Sequence, residues 1–128
     1  MAHRSRLAGF IIDCNTDDLD AAARFWSAAL GATIDPEYAG DETAEYRNLN
    51  DTPAGLHIEV QKVDHPSRVH LDIEADDIDA EADRLEKLGA KRIGFVKRWW
   101  VMEAPTGQRF CVVRMREEAT RPDPNVWD

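Results

Sequence analysis

Few cysteines, no long apolar segment and a shortage of positive charge mark this chain, and each absence excludes a class of protein. The 128 residues include only two cysteines, Cys14 and Cys111, too few for a disulfide framework, so we expect a cytoplasmic protein. No apolar run approaches the roughly 20 residues of a membrane-spanning helix. The short apolar run near the N-terminus ends at Asp13, which predicts that it is not a signal peptide.

The charge balance limits the partners that the protein can bind. There are 25 acidic and 16 basic residues, which gives a net charge of −9. Such a surface repels nucleic acid phosphates and anionic lipids, so we expect neither nucleic acid nor membrane as a partner. A neutral or cationic small molecule is the expected ligand.

The sequence does contain an internal repeat. Three blocks recur in the same order, at offsets of 59 (76 − 17), 58 (88 − 30) and 52 (105 − 53). They are Asp17–Ala23 with Asp76–Ala82, Leu30–Ala32 with Leu88–Ala90, and Pro53–Val60 with Pro105–Val112. Two copies are too few for a solenoid, which needs three or more. We predict one domain, residues 1–128, with module one at 7–61, module two at 68–115 and a tail at 116–128.

Each module follows the order β-α-β-β-β. In module one, a helix that Asn15 or Thr16 caps and Gly31 ends lies among predicted strands at 7–14, 33–34, 45–49 and 56–61. In module two, a helix at 76–88 lies among predicted strands at 68–73, 91–96, 99–103 and 109–115. The tail is expected to be extended and loosely held. The predicted fold class is α+β, with two tandem βαβββ modules forming a curved, partly closed sheet around a central cavity.

Alternation along the strands separates an apolar side that faces the helices from a polar side opposite it. We place Trp100 and Met102 on the polar side, because Val101 aligns in the repeat with apolar Leu49. The candidate ligand-binding residues are Asp13, His57, Glu59, His70, Asp72, Trp100, Met102, Arg109 and Cys111. In the alternative interpretation this side is simply solvated, as one face of an antiparallel sheet often is, and Cys111 is a small buried hydrophobe.

The duplicated module resembles the vicinal oxygen chelate superfamily, which includes glyoxalases, extradiol dioxygenases, and bleomycin and fosfomycin resistance proteins. The resemblance covers residues 7–115. Within the superfamily, this segment is most similar to the glyoxalase-like domains. The segments that carry it are Ile12-Asp13-Cys14, Phe25-Trp26, Val69-His70-Leu71-Asp72, Leu88-Gly89-Ala90, Ala104-Pro105-Thr106-Gly107 and Phe110-Cys111-Val112-Val113. One fold of this kind hosts many chemistries, so the resemblance predicts the fold more strongly than the activity.

The resemblance also implies a pattern of metal ligands. Metal-using members place a histidine on the first strand of each module and a glutamate on the last. This chain keeps Glu59 and His70 at two of these positions, whereas the other two are Ile11 and Cys111. Two ligands are fewer than a stable metal site usually has, so we predict weak or no binding of divalent metal. Asp13 or Cys111 would complete the site if a metal does bind, and the thiol would favour zinc.

Three functions remain open from the sequence. The preferred one is a small-molecule binding protein of the glyoxalase/bleomycin-resistance type without a complete metal site. The second is an isomerase, lyase or dioxygenase-like enzyme that acts on a small oxygenated substrate, with Glu59 as general base or metal ligand. The third is a structural or regulatory dimer without a ligand. We also expect Glu59 and His70 to approach each other across the module junction, and the chain to form a homodimer.

Overall fold

The computed structural model describes residues 2–38, 41, 43–116 and 123–128, which divide into two compact units. The first unit is Phe10–Val69, and the second unit is His70–Asp128 together with Met1–Gly9. Within the described residues each unit has one α-helix packed against strands, and the order βαβββ occurs twice. The predicted α+β class and the two successive modules are therefore confirmed. Among the described residues, neither of the two α-helices is long and apolar enough to cross a membrane.

In the first unit, one helix packs on strands that follow the order β2-β3-β4-β1. The elements are β1 (His3–Asn15, from Phe10 onward in this unit), α1 (Leu19–Leu30), β2 (Thr33–Ile34), β3 (Tyr46–Asn50) and β4 (His57–Val63). Strand β3 pairs antiparallel with both β2 and β4. The buried core between helix and strands consists of Ile12, Cys14, Leu19, Ala32, Leu49, Ile58 and Val60.

The ends of α1 are set by one side chain and one glycine. The Asp18 carboxylate accepts a hydrogen bond from the backbone N–H of Ala21 at 3.0 Å, so the helix begins at Leu19. The expectation that Asn15 or Thr16 caps the helix was wrong, because the Thr16 hydroxyl instead accepts the backbone N–H of Asp18 in the preceding turn. Gly31 ends the helix as predicted, with a φ of 69° that suits glycine.

In the second unit, one helix packs on strands in the order β1-β5-β8-β7-β6, and a short strand β9 pairs with β1. The elements are the N-terminal part of β1, β5 (Arg68–Ala75, from His70 onward in this unit), α2 (Ile78–Lys87), β6 (Lys91–Val96), β7 (Trp99–Glu103), β8 (Arg109–Arg114) and β9 (Asn125–Trp127). Strand β5 runs parallel to β8, whereas β7 runs antiparallel to both β6 and β8. The core consists of Ala75, Ala82, Leu85, Met102 and Val112.

Two candidate ligand-binding residues lie on the wrong side of β7 for that role. Met102 is fully buried in the core under α2, and the Trp100 indole N–H donates to Asp79 of α2 at 2.8 Å. Their placement opposite the helix was therefore wrong.

The reason is that the turn between β7 and β8 is one residue shorter than the corresponding turn between β3 and β4. Leu49 pairs with Ile58, nine residues later (58 − 49), whereas Met102 pairs with Phe110, eight residues later (110 − 102). Met102, and not Val101, is thus the structural counterpart of Leu49. Because side chains alternate along a strand, an error of one residue exchanges the two faces.

The C-terminal tail is more ordered than the sequence predicts. Strand β9 pairs antiparallel with β1, with His3 opposite Trp127. The Trp127 indole N–H donates to the Ser5 hydroxyl at 2.8 Å, and the Arg84 guanidinium lies 3.9 Å from the centre of the Trp127 ring. The expectation of an extended tail is confirmed at Asn125–Trp127, but the expectation that it is loosely held was wrong there, because β9 pairs with β1. Residues 117–122 lie outside the described part of the chain.

A buried carboxylate connects α2 to β1. Glu81 is fully buried, and its Oε1 lies 2.8 Å from both the His3 Nε2 and the Arg84 Nε. Burial alone would raise the pKa of Glu81, but hydrogen bonds from Arg84, His3 and Ser5 outweigh it and hold the pKa below its ordinary value. The ionised carboxylate therefore stabilises the folded state.

We predict that Glu81→Gln lowers the free energy of unfolding at neutral pH by about 3 kcal/mol, because it leaves Arg84 without its anionic partner. Since the folded pKa of Glu81 is depressed, its contribution is present above the unfolded pKa of about 4.3 and is lost as the pH falls through the folded pKa. Urea unfolding across this range should show a steeper acid loss for the wild type than for the variant. Exposed Glu45→Gln serves as the control, and equal acid profiles for all three proteins would contradict the assignment.

Candidate functional site

The second unit brings three potential ligand groups together on the face of its strands turned away from α2. His70 and Asp72 alternate along β5, and Cys111 lies directly opposite Asp72 on the parallel strand β8. One ligand atom from each of these residues lies within 4.8 Å of the other two. We call this set, His70, Asp72 and Cys111, the three-donor cluster. An imidazole, a carboxylate and a thiol at this spacing could hold a metal ion.

The cluster is sheltered from solvent but not sealed. Asp72 is 8% exposed, whereas His70 and Cys111 are half-buried. The His70 Nε2 lies 3.6 Å from the Asp72 Oδ1, which is an ion-pair distance and too long for a hydrogen bond. A ligand or ion could therefore reach all three groups from one side.

Charged neighbours on the same face are paired with each other. Glu74, two residues beyond Asp72, accepts a hydrogen bond from the Arg6 Nε at 2.6 Å. Arg109, two residues before Cys111, donates a hydrogen bond to Glu103 at 3.3 Å, and its side chain is more exposed than that of Arg6. Arg109 thus lies on the predicted face, but at its rim.

The first unit carries a second polar set on the face turned away from α1. The predicted alternation is confirmed there, because Ile12, Ile58 and Val60 are in the core while Asp13, His57 and Glu59 point the other way. Asp13 is 2% exposed and lies 3.7 Å from the Arg68 Nε. The His57 Nε2 lies 3.4 Å from the Glu59 Oε1. We call Asp13, His57, Glu59 and Asn48 the first-unit polar set.

Asn48 belongs to this set and was missed by the sequence reasoning. It lies directly opposite Glu59 in the β3–β4 pairing, so both side chains share a face. Its Oδ1 is buried and accepts no hydrogen bond from the described residues. The signal in the sequence was strand alternation, because Asn48 adjoins apolar Leu49 in the strand predicted at 45–49, and Leu49 is expected to face the helix.

The sequence-based ligand pair, Glu59 and His70, is divided between the units. Glu59 belongs to the first unit and His70 to the second, so their mutual approach stays a prediction. Ile11, at the position where metal-using relatives carry a histidine, is a buried aliphatic residue with no ligand atom to offer. The potential metal ligands that lie together are instead those of the three-donor cluster, in which Asp72 takes part.

Comparisons with known structures support the fold. Methylmalonyl-CoA epimerase from Mycobacterium tuberculosis matches with a TM-score of 0.60 at 18% identity, covering 87% of this chain and 88% of the epimerase. The hypothetical protein BH1468 from Bacillus halodurans C-125 matches with a TM-score of 0.59 at 12% identity, covering 90% of this chain and 97% of that one. At these identities the likeness shows a common fold. No curated protein sequence gives a match.

The family assignment rests on sequence as well as structure. A family model described as a glyoxalase-like domain matches residues 9–113, which begin within β1, end within β8 and span both βαβββ segments. The chain therefore belongs to the glyoxalase-like domains of the vicinal oxygen chelate superfamily.

Proposed function

We propose that this protein binds a small neutral or cationic organic molecule, in the manner of the bleomycin-resistance members of its superfamily. The ligand would contact side chains on the strand faces turned away from the helices. We further propose that the four-ligand metal set of metal-using relatives is incomplete, because Ile11 and Cys111 stand at two of its positions.

The observation that carries this proposal is the burial of carboxylates where no core requires them. Asp13 and Asp72 are 2% and 8% exposed, and both lie away from the two apolar cores. Burying a carboxylate costs stability unless charge or hydrogen bonds offset it, so such residues are commonly retained for function. Asn48 Oδ1, buried beside Glu59, adds an acceptor that a ligand N–H or O–H could satisfy.

The charge of these faces favours a cation. In the first-unit polar set, Asp13 and Glu59 are both acidic, and the Asp13 carboxylate lies 3.7 Å from the guanidinium of Arg68. The whole chain has a net charge of −9, which adds a long-range attraction for cations. An anionic ligand would be repelled both by these carboxylates and by the net charge of the chain.

We predict that metal-free bleomycin, as a cationic probe, binds measurably in titration calorimetry, whereas anionic fosfomycin does not. Glu59→Gln and Asn48→Ala should each weaken bleomycin binding by roughly tenfold, about 1.4 kcal/mol, because each removes a polar contact. Glu37→Gln is the matched control, since Glu37 is an exposed residue of the same unit. The proposal fails if neither probe binds, or if the control weakens binding as much as Glu59→Gln does.

A second candidate function, an isomerase or lyase, is favoured by the His57–Glu59 pair. The 3.4 Å separation of Nε2 and Oε1 would allow the imidazole to orient Glu59 or exchange a proton with it. Glu59 would then remove a proton from a carbon next to a carbonyl group of a small oxygenated substrate. The solved epimerase has the same fold, but this acidic chain is poorly suited to a polyanionic coenzyme A ester.

If the enzyme hypothesis is correct, the protein should catalyse exchange of the carbon-bound protons of dihydroxyacetone in deuterated water, followed by proton NMR. Glu59→Gln should reduce the exchange rate by roughly 10²- to 10⁴-fold, the usual contribution of a general base. His57→Gln should reduce the rate less, and Glu37→Gln should leave it unchanged. Wild-type exchange no faster than in buffer would remove this candidate.

We also propose a cytoplasmic homodimer. The cytoplasmic location is supported by the cysteine content, because two cysteines are too few for a disulfide framework. The dimer is supported by β6, which ends the strand order of the second unit and carries exposed Ile93, Phe95 and Val96.

We predict a mass near twice 14.5 kDa by light scattering at micromolar concentration. Val96→Lys should shift the mass to that of one chain, because it places a charge on the exposed edge strand. A wild-type mass near that of one chain would contradict the dimer, and a Val96→Lys dimer would exclude β6 as the interface.

A further inference from the structure

We propose that the three-donor cluster, His70, Asp72 and Cys111, is a binding site for a thiophilic divalent cation, zinc in the first instance. The site lies wholly within the second unit and needs neither Glu59 nor a residue at position 11. It shares His70 with the ligand pair that the sequence indicates, but Asp72 and Cys111 take the place of Glu59. The proposal therefore departs from the sequence-based expectation of weak or no metal binding. The tests of this site use metal ions alone, so their outcome does not depend on whether the proposed small-molecule ligand binds.

The backbone already positions the three side chains for a common ion. The parallel register of β5 and β8 sets Asp72 opposite Cys111, and strand alternation sets His70 on the same face. The ligand atoms lie within 4.8 Å of one another, whereas the edges of a tetrahedral zinc site measure about 3.3 to 3.7 Å. The remaining contraction, about 1 Å, is within reach of small side-chain rotations and requires no strand to move.

The chemistry of the donors selects the metal. A thiolate is a soft ligand and imidazole a borderline one, so the set favours zinc, cadmium or cobalt over magnesium, calcium or manganese. A glutamate at position 111 would instead favour the harder metals. Because the cluster supplies three protein ligands, a fourth position would remain for water or for an oxygen atom of a ligand.

The immediate surroundings are compatible with a cation. Asp72 supplies a buried carboxylate, and the His70 Nε2 lies 3.6 Å from its Oδ1, so one ion could contact both atoms. The nearest arginines on this face are paired, Arg6 with Glu74 at 2.6 Å and Arg109 with Glu103 at 3.3 Å. Their positive charges are thereby largely offset.

Cobalt substitution tests the site without any assay of activity. Cobalt(II) added to the reduced wild-type protein should produce a thiolate-to-cobalt charge-transfer band in the near ultraviolet, and zinc should abolish the band at one equivalent. Cys111→Ser should remove the band. It should also weaken zinc binding in calorimetry by at least about 10- to 100-fold, because a loss of this size follows even from changing a residue that only hydrogen-bonds to a metal ligand.

His70→Ala and Asp72→Asn should weaken zinc binding by a similar factor while keeping a charge-transfer band at saturating cobalt. The matched controls are Cys14→Ser, the other thiol, and His65→Ala, a histidine of the first unit that has no assigned role; both should behave as the wild type. Manganese should not bind measurably. Zinc should also protect Cys111 from alkylation in the wild-type protein, as measured by mass spectrometry, which tests the site even where a variant does not fold.

Several results would overturn the proposal. These are a wild-type protein without a charge-transfer band at saturating cobalt, a band that survives Cys111→Ser or disappears in Cys14→Ser, and alkylation of Cys111 at the same rate with and without zinc. Equal zinc affinity of the wild type, His70→Ala and Asp72→Asn would also overturn it. Failure of the bleomycin experiment would leave all of these measurements unaffected.

Discussion

The parallel pairing of β5 with β8 decides which side chains can act together in the second unit. It places Asp72 opposite Cys111, and through strand alternation it adds His70 to the same face. The core beneath α2 depends on the same register, since Ile73 and Val112 face the helix when Asp72 and Cys111 face away. A shift of one residue would exchange core and site, so apolar burial fixes the positions of the polar groups.

Both units divide their strands in this way, but the repeated positions have diverged chemically. The first unit offers a histidine–carboxylate pair, His57 with Glu59, beside a buried amide oxygen of Asn48. The second offers imidazole, carboxylate and thiol. One face is thus suited to hydrogen bonding or proton transfer, and the other to a soft metal ion. A duplicated module can diverge like this because each apolar core maintains its own unit.

Local patterns in the sequence predict most of the fold. Apolar alternation places Ile58, Val60 and Val112 under the helices, and Gly31 ends α1. The errors arise where the outcome depends on pairing between distant segments. Trp100 and Met102 were assigned to the wrong face because the turn between β7 and β8 is one residue shorter than the turn between β3 and β4. Strand β9 forms only through its pairing with β1. The grouping of Asp72 with Cys111 depends on the register of two strands that lie far apart in the chain.

We infer that the faces turned away from the helices hold the ligand-binding groups, and the three-donor cluster is the most sharply defined of these groups. Crystals grown with one equivalent of zinc and measured at its absorption edge would test this most directly. We expect one anomalous peak per chain, about 2.3 Å from Cys111 Sγ and about 2.0 to 2.1 Å from a His70 ring nitrogen and an Asp72 oxygen. A zinc peak bound by other residues, or no peak near Cys111, would contradict the account.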